Sequence, residues 1–187
     1  MQYFIGIILV VLVIVAFIAI GVYNNLIGLK NKVREAASDI DVQLKRRYDL
    51  IPNLVETVKG SKNFEQETLE KVIKARQQAI DISGITAEKA QAENMLSGAL
   101  RQLFALSESY PDLKSNENFL ALQVEITNTE DRILASRRFY NSVVQDYNTS
   151  QDQFPAILFK SLAGAQPAPF FELENPTEER KNPKVQF

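Results

Sequence analysis

Charged side chains recur at helical spacing in the segment DVQLKRRYDLIPN, which runs from residue 41 to residue 53. Side chains four residues apart lie on the same face of a helix, where opposite charges attract each other. The segment provides such a ladder at Asp41, Lys45, Asp49 and Asn53. Each exposed ion pair of this kind stabilises a helix by only about 0.3–0.5 kcal/mol. The ladder therefore predicts a solvated helix face rather than a reaction centre.

Two adjacent arginines follow Lys45, and the helical pattern gives them different surroundings. Arg47 lies close to the edge of the apolar stripe, so on a solvated face it could reach a carboxylate of a neighbouring helix, such as Glu125 or Asp131. Arg46 points away from the predicted core. It also lies roughly 35 Å along a straight helix from the end of the apolar N-terminal segment, several Debye lengths away. We therefore expect Arg46 to meet a partner, a second copy or a second membrane.

Pro52 interrupts the hydrogen-bond pattern of the same predicted helix. Its nitrogen has no hydrogen for the carbonyl of Tyr48, and its ring crowds the preceding turn, which costs about 3 kcal/mol in a helix interior. The helix is expected either to bend here or to restart with Asp49 as a new N-cap. A fixed bend would be structural, whereas a hinge at Pro52 would be functional, and the sequence leaves both interpretations open.

A second group of polar and aromatic residues lies in SRRFYNSVVQDYN, from residue 136 to residue 148. Several members recur near the apolar stripe at roughly heptad spacing: Arg137, Tyr140, Asn141, Tyr147 and Asn148. Tyr and Asn side chains inside a helix seam can fix register and oligomeric state through hydrogen bonds. The alternative is ordinary packing of semi-polar residues inside one helical bundle.

Residue types that are missing from the chain exclude several classes of chemistry. The 187 residues include no Cys, no His and no Trp. Without Cys there is no disulfide or thiolate, and without His the commonest proton-transfer group near neutral pH is missing. Asp39 and Asp41 diverge by about 200° on a helix and so do not form a metal pair. We predict no enzyme, no cofactor and no metal site, and the net charge of −2 argues against nucleic acid as a partner.

The elements that position these residues begin with a membrane anchor, which we assign to residues 1–22. Residues 3–22, YFIGIILVVLVIVAFIAIGV, are long and apolar enough to cross a hydrocarbon core of about 30 Å as a helix. A cleavable signal peptide would have a positive start, a shorter apolar core and a small-residue exit. Because Lys30, Lys32 and Arg34 follow the span, we predict an outer N-terminus and a cytoplasmic domain. Nearby acidic residues leave the reversed topology open.

Helical periodicity continues through the body of the chain. Apolar residues recur every three or four positions, and the connections between these segments are short, which favours antiparallel neighbours. We predict an all-α fold: a single N-terminal transmembrane helix, then an up-down antiparallel helical bundle of about four helices, with the first and last long. The bundle is assigned to residues 23–153, with helices at about 24–59, 64–82, 87–110 and 116–151.

The tail, residues 154–187, begins with the apolar stretch FPAILFKSLAG. In an up-down bundle the last helix returns towards the membrane and would deliver this stretch to the interface. The side chains available for membrane contact are Phe154, Ile157, Leu158, Phe159 and Leu162. Alternatively, they cap the open end of the bundle core. The Pro-rich remainder is expected to be extended or disordered, with Phe170 and Phe171 as docking points.

Three stretches form a specific combination that covers nearly all of the chain. They are YNNLIGLKNKVREAASDIDVQLKRRYDLIPNLVETVKG, then ALSESYPDLKSNENFLALQVEITNTEDRILASRRFYNSVVQDYN, and FP with a terminal NPKVQF. Together they resemble the LemA family of bacterial membrane proteins, and the motifs YPDLK and RRFYN add Pro111, Asp112 and Arg138 to the residues of interest. At Ala37 the family usually has a Trp, so we expect a gap or a tighter helix approach there. The resemblance implies one anchor, a cytoplasmic helical bundle and no established enzymatic activity.

Our leading hypothesis is a non-enzymatic, single-pass scaffold in the bacterial cell membrane that self-associates or docks a protein partner. Its partners would be the lipid bilayer and further copies of itself. The homo-oligomer would form by lateral contacts of the long helices, with Arg46 and Arg47 meeting acidic faces of a neighbour. The alternative is a signalling or adaptor subunit of a membrane enzyme, with Pro52 as its hinge.

Overall fold

The computed structural model describes residues 2–61 and 64–171, which form α-helices joined by short connections. The α-helices of these ranges are α1 (Gln2–Lys59), α2 (Gln66–Asp81), α3 (Ala87–Ser107), α4 (Pro111–Lys114) and α5 (Glu117–Asp152). A short 3-10 helix follows at Ala156–Leu158. The two ranges contain no β-strand, so the predicted all-α class is confirmed. The expectations for the tail beyond Phe171 and for the terminal NPKVQF lie outside the described residues.

α1 is a helix of 58 residues that includes the whole apolar segment. This segment is long and apolar enough to cross a membrane, and from Tyr3 onward its residues are exposed, apart from Ala19 and Val22, which are partly buried. A helix that is apolar all round, with its side chains exposed, has the surface of a span surrounded by lipid. α1 also continues through Pro52, so the restart expected at Asp49 does not occur.

Local signals set the helix ends after α1. Thr86 is the N-cap of α3, where its side chain accepts a hydrogen bond of 3.1 Å from a backbone N–H three residues on. Asn116 precedes α5, and its Oδ1 accepts from two backbone N–H groups at 3.0 and 3.1 Å. α3 ends at Ser107 rather than at residue 110. Pro111 begins the short α4, because proline suits the first turn of a helix.

The described residues form two compact units. Residues 2–38 and 139–169 form the first, which we call the anchor unit because it contains the apolar segment. Residues 39–61, 64–138 and 170–171 form the second, which we call the core unit. Each unit has its own buried apolar cluster.

The core unit is stabilised by apolar side chains from α1, α2, α3 and α5. Completely or almost completely buried members of this cluster include Ile51, Leu54, Val58, Val72, Leu96, Leu103 and Ile126. Burying one such side chain contributes about 1.5–3 kcal/mol. α2 and α3 are joined by a tight turn at Gly84, whose φ of +80° is readily adopted by glycine. This packing is the frame in which the polar side chains of the core unit are held.

In the anchor unit, a small cluster joins α1 to the residues that follow α5. Leu26 is buried together with Ala156 and Ala163, and Val22 packs against the same cluster. The residues after α5 contribute only small side chains to this contact, because both are alanines. The residues after α5 therefore approach α1 closely just beyond its apolar segment.

Candidate functional site

Arg47 is the centre of a buried group of polar side chains in the core unit. Its guanidinium donates to Ser97 Oγ at 2.8 Å and forms ion pairs with Glu93 and Glu130. Ser97 in turn donates to Glu130 at 3.0 Å. Hydrogen bonds between charged groups are roughly twice as strong as neutral ones. One arginine from α1 therefore joins α3 and α5.

Lys89 and Tyr48 extend this group. Lys89 Nζ lies 2.9 Å from Tyr48 Oη, 3.0 Å from Glu93 Oε1 and 2.7 Å from the carbonyl oxygen of Ala79. Tyr48 Oη donates a further hydrogen bond to Glu93. We call the whole set the buried ionic network, which consists of Arg47, Tyr48, Lys89, Glu93, Ser97 and Glu130.

The charges of the buried ionic network balance, with two cations and two carboxylates. Arg47 and Glu93 are 0% exposed and Lys89 is 6% exposed, while the Glu130 side chain reaches solvent in part. Removing one of the four charged members would leave an unbalanced charge in the buried network, which costs about 3–5 kcal/mol. Burial, reinforced by the hydrogen bond to Glu93, raises the pKa of Tyr48 above its ordinary value. The network therefore joins α1, α3 and α5.

Pro52 is accommodated by a contact from α2. Because Pro52 has no N–H, the carbonyl of Tyr48 lacks its usual helical donor. Arg76 Nε donates to this carbonyl at 2.9 Å. A neighbouring helix thus satisfies the main-chain group that the proline leaves without its helical partner. This favours a static proline over the hinge that the adaptor hypothesis requires.

An open cleft of about 390 Å³ lies between α3 and α5, beside the buried ionic network. Ser97 and Glu130 belong both to the network and to the cleft wall. The apolar part of the wall consists of Leu100, Phe104, Ile126, Ile133 and Leu134, and its polar part includes Arg101 and Asp131. Apolar walls with a few polar groups suit the binding of an apolar side chain or a small amphipathic molecule.

The charge ladder expected on α1 is present as exposed side chains. Lys45 and Asp49 form an ion pair of 3.1 Å, and both side chains are largely exposed. Asp41 and Asn53 are exposed on the same helix. Such surface pairs contribute about 0–1 kcal/mol, so the ladder does not constitute a site.

The two adjacent arginines differ from the expectation in their surroundings. The sequence pattern places Arg47 on a solvated face within reach of Glu125 or Asp131, and this is wrong: Arg47 is fully buried, because Glu93 and Glu130 neutralise it. Glu125 instead pairs with Arg46 at 2.8 Å, with each side chain 47% exposed. Arg46 therefore has an acidic partner in its own chain, and Arg47 cannot reach a neighbouring molecule.

In the anchor unit, polar residues of the 136–148 segment bind the residues that follow α5. Tyr140 Oη donates to the carbonyl of Pro169 at 2.8 Å. The Asn148 side chain accepts from the N–H of Ala168 at 2.8 Å and donates to its carbonyl at 2.9 Å. Tyr147 is buried, and Asn141 is partly buried. The hydrogen bonds of Tyr140 and Asn148 are thus used within one chain, as the packing alternative expects.

The remaining motif residues lie in the core unit. Arg137 is 7% exposed, donates to Asn94 Oδ1 at 3.2 Å and lies over the Phe171 ring, with its Cζ 4.4 Å from the ring centroid. Phe171 is fully buried, whereas Phe170 is 49% exposed. The motif residues on the surface are Pro111, Asp112 and Arg138.

The stretch 154–162 of the anchor unit keeps its large side chains on the outside. Phe154, Ile157, Leu158 and Leu162 are exposed, and Phe159 is partly buried. The contact with Leu26 on α1 is made by the small side chains Ala156 and Ala163. Phe154, Ile157, Leu158 and Leu162 therefore do not cap an apolar core, contrary to the alternative expectation, and the membrane contact of the stretch stays a prediction.

A cavity of about 280 Å³ lies beside Ala37 in the anchor unit. Val33 and Tyr147 are among the residues that line it, together with Lys30 and Arg34. The side chain at position 37 ends at Cβ, so it leaves this space open. A gap of this kind is what the missing Trp predicts.

The partners of Arg47 were not identified from the sequence. A signal for burial exists, because Arg47 follows Leu44 by three residues and precedes Ile51 by four, which is the spacing of the buried stripe. Glu93 likewise precedes the buried Leu96 by three residues. A charge within a buried stripe predicts a buried partner of opposite charge. Which residue pairs with which depends on the packing of helices that are distant in sequence.

Comparison with known proteins gives matches over most of the chain. A sequence model described as the LemA family matches residues 36–187. Protein LemA of Metamycoplasma hominis is 32% identical over 136 residues, which cover 71% of this chain and 61% of that relative. Magnetosome protein MamQ 2 of Paramagnetospirillum magneticum is 23% identical over 87% of this chain and 70% of its own length. Magnetosome protein MamQ of Magnetospirillum gryphiswaldense is 21% identical over 86% and 69%.

Proposed function

We propose, from the premise that this chain belongs to the LemA family, that it is a non-enzymatic helical scaffold anchored in a membrane by α1. The observation that carries the proposal is the closure of the buried ionic network. Its four ionised groups pair with one another, and Glu130 is the one of the four that also lines the cleft. Paired buried charges of this kind specify how helices pack. We therefore assign the function to helix surfaces rather than to a reaction centre.

In this proposal the scaffold crosses the bacterial cell membrane once, with its N-terminus outside and its helical domain in the cytoplasm. Lys30, Lys32 and Arg34 are exposed on α1 soon after the apolar segment, which favours this orientation. The chain has no Cys, so Lys32→Cys places a single thiol on this side. A membrane-impermeant thiol reagent should leave it unlabelled in intact cells and should label Gln2→Cys, which precedes the apolar segment. Labelling of Lys32→Cys in intact cells contradicts the orientation.

The scaffold would self-associate or dock a protein partner through the cleft between α3 and α5. Arg46 and Arg47 already have partners in the chain, so charge attraction by these arginines does not supply the affinity. The apolar wall of the cleft is the better source, because burial of apolar surface drives most protein association. Leu134, which is 37% exposed, gives a neighbouring molecule access to that wall.

The size of the intact chain in a membrane tests this function. Full-length protein in nanodiscs should form assemblies of more than one copy, or it should crosslink to another protein in cells. Leu134→Glu should abolish that association, because docking would bury an unpaired carboxylate in the cleft. Size-exclusion chromatography with light scattering measures the assembly, and crosslinking measures the partner.

Val124→Glu is the matched control for this experiment. Val124 lies on the same helix α5, is 59% exposed and is not among the residues that line the cleft. Association that survives Leu134→Glu but is lost in Val124→Glu would place the docking face outside the cleft. A wild-type chain that stays monomeric in detergent and in nanodiscs, and crosslinks to nothing in cells, would reject the scaffold.

A further inference from the structure

The stretch 154–162 of the anchor unit exposes large apolar side chains that are close together in sequence. Phe154, Leu158 and Leu162 are 79%, 64% and 73% exposed. Soluble surfaces rarely leave groups of such residues in water, and where they do, the surface usually marks a contact. We propose that this stretch, which we call the interfacial foot, lies in the interface of the bilayer that α1 crosses. Its large side chains would reach the acyl chains beneath the phosphate headgroups.

The foot is attached to α1 at the depth that such a contact requires. Ala156, within the foot, and Ala163, directly after it, are buried with Leu26, and Val22 packs against the same cluster. Leu26 lies about 6 Å along the helix from Val22, where the apolar segment ends. The headgroup layer extends about 5–8 Å beyond the hydrocarbon core on each side. The foot therefore starts at the level of the headgroups. Lipid that surrounds the membrane-spanning segment is then the partner nearest to the foot.

Charged side chains near the foot suit a layer of phosphate groups. Lys160, within the foot, lies 3.0 Å from the carboxylate of Asp152. Lys30, Lys32 and Arg34 are exposed on the turns of α1 that follow Leu26. Long basic side chains can lay their methylene groups on an apolar surface while the charged end reaches phosphate. Apolar side chains with basic residues beside them are the composition of segments that lie on membranes.

The foot would give the anchor unit a second contact with the bilayer beside the span. A single transmembrane helix can tilt and rotate, and interfacial side chains limit both movements. Unlike the proposed scaffold, this contact does not depend on self-association. A chain that acts as a monomer would have the same foot.

The absence of Trp from the chain allows a direct test on the full-length protein. Leu158→Trp and Leu162→Trp each place a single indole in the foot. In nanodiscs that hold one copy, lipids brominated along their acyl chains should quench these indoles several-fold more than the indole of Val124→Trp in the core unit. Phe17→Trp, within the apolar segment, is the reference for an indole inside the bilayer.

Three results would overturn the proposal, provided that circular dichroism shows the wild-type helix content in each variant. The first is equal quenching in the foot variants and in Val124→Trp. The second is quenching in the foot that needs two copies per disc, because the contact with lipid would then depend on self-association. The third is a Phe17→Trp indole that lipids do not quench, because the apolar segment would then lie outside the bilayer.

Discussion

The core unit and the anchor unit depart from the usual distribution of side chains in opposite directions. The core unit buries Arg47 and Glu93 completely, whereas the anchor unit leaves Phe154 and Leu162 mostly exposed. A buried charge destabilises a protein unless it is paired, and exposed groups of large apolar residues usually indicate a contact. From this difference we infer that the buried charges hold helices of one chain together. The exposed apolar side chains are available to the surroundings of the chain.

Breaking the buried ionic network should have the largest effect. Arg47→Met keeps an apolar stem of similar length but removes the guanidinium, so Glu93 stays buried without its arginine partner. We expect the free energy of unfolding to fall by about 3–5 kcal/mol. Urea denaturation of the full-length protein in detergent, followed by circular dichroism, measures the loss.

Arg46→Met is the matched control for this prediction. It removes an adjacent arginine whose ion pair with Glu125 is about half exposed, so the expected loss is about 0–1 kcal/mol. Equal losses in the two variants would contradict the distinction between a buried and a surface arginine.

Alanine substitution of one leucine in each unit tests the comparison between the units. Leu103 is fully buried in the core unit, so Leu103→Ala should lower the free energy of unfolding by about 2–5 kcal/mol. Leu158 in the foot is mostly exposed, so Leu158→Ala should change it by less than about 0.5 kcal/mol in detergent. Urea denaturation compares the two variants. A large loss in Leu158→Ala would mean that the foot stabilises the fold itself.

The fold was predictable because its signals are local. An apolar residue every three or four positions marks each helix, and Thr86 and Asn116 mark the starts of α3 and α5. The short helix α4 was not predicted, because a proline is common both just after the end of a helix and in the first turn of one. The apolar segment at the start of α1 follows from composition alone, because its length matches a bilayer.

The candidate site was much less predictable, because its contacts join helices distant in sequence. The position of Arg47 in the stripe indicates burial, but choosing Glu93 and Glu130 over Glu125 requires the rotation of α3 and α5 about their axes. The sequence shows that the carbonyl of Tyr48 loses its helical donor at Pro52. Its donor, Arg76, belongs to another helix and follows only from the packing.

Removing the donor at Pro52 should have an intermediate effect. Arg76→Met leaves the carbonyl of Tyr48 without its hydrogen bond, at a cost of about 1–3 kcal/mol if water cannot replace it. Pro52→Ala restores an N–H that can bond to the same carbonyl. In the Pro52→Ala background, Arg76→Met should therefore cost less than about 1 kcal/mol. A double-mutant cycle by urea denaturation measures this coupling, and additive losses would show that Arg76 does not serve the proline.

The smallest expected effect is a loss of stability at high pH, caused by the buried phenol of Tyr48. Burial and Glu93 raise the pKa of Tyr48 above its ordinary value near 10, so the folded phenol keeps its proton after the unfolded one has lost it. Its contribution to stability is complete below pH 10 and is lost as the pH rises further. The free energy of unfolding falls by at most about 1.4 kcal/mol per pH unit, because the folded and unfolded states differ by at most one bound proton at this phenol. Above pH 10 the difference in unfolding free energy between wild type and Tyr48→Phe should narrow. Parallel curves for wild type and Tyr48→Phe would show that the Tyr48 phenol is open to solvent.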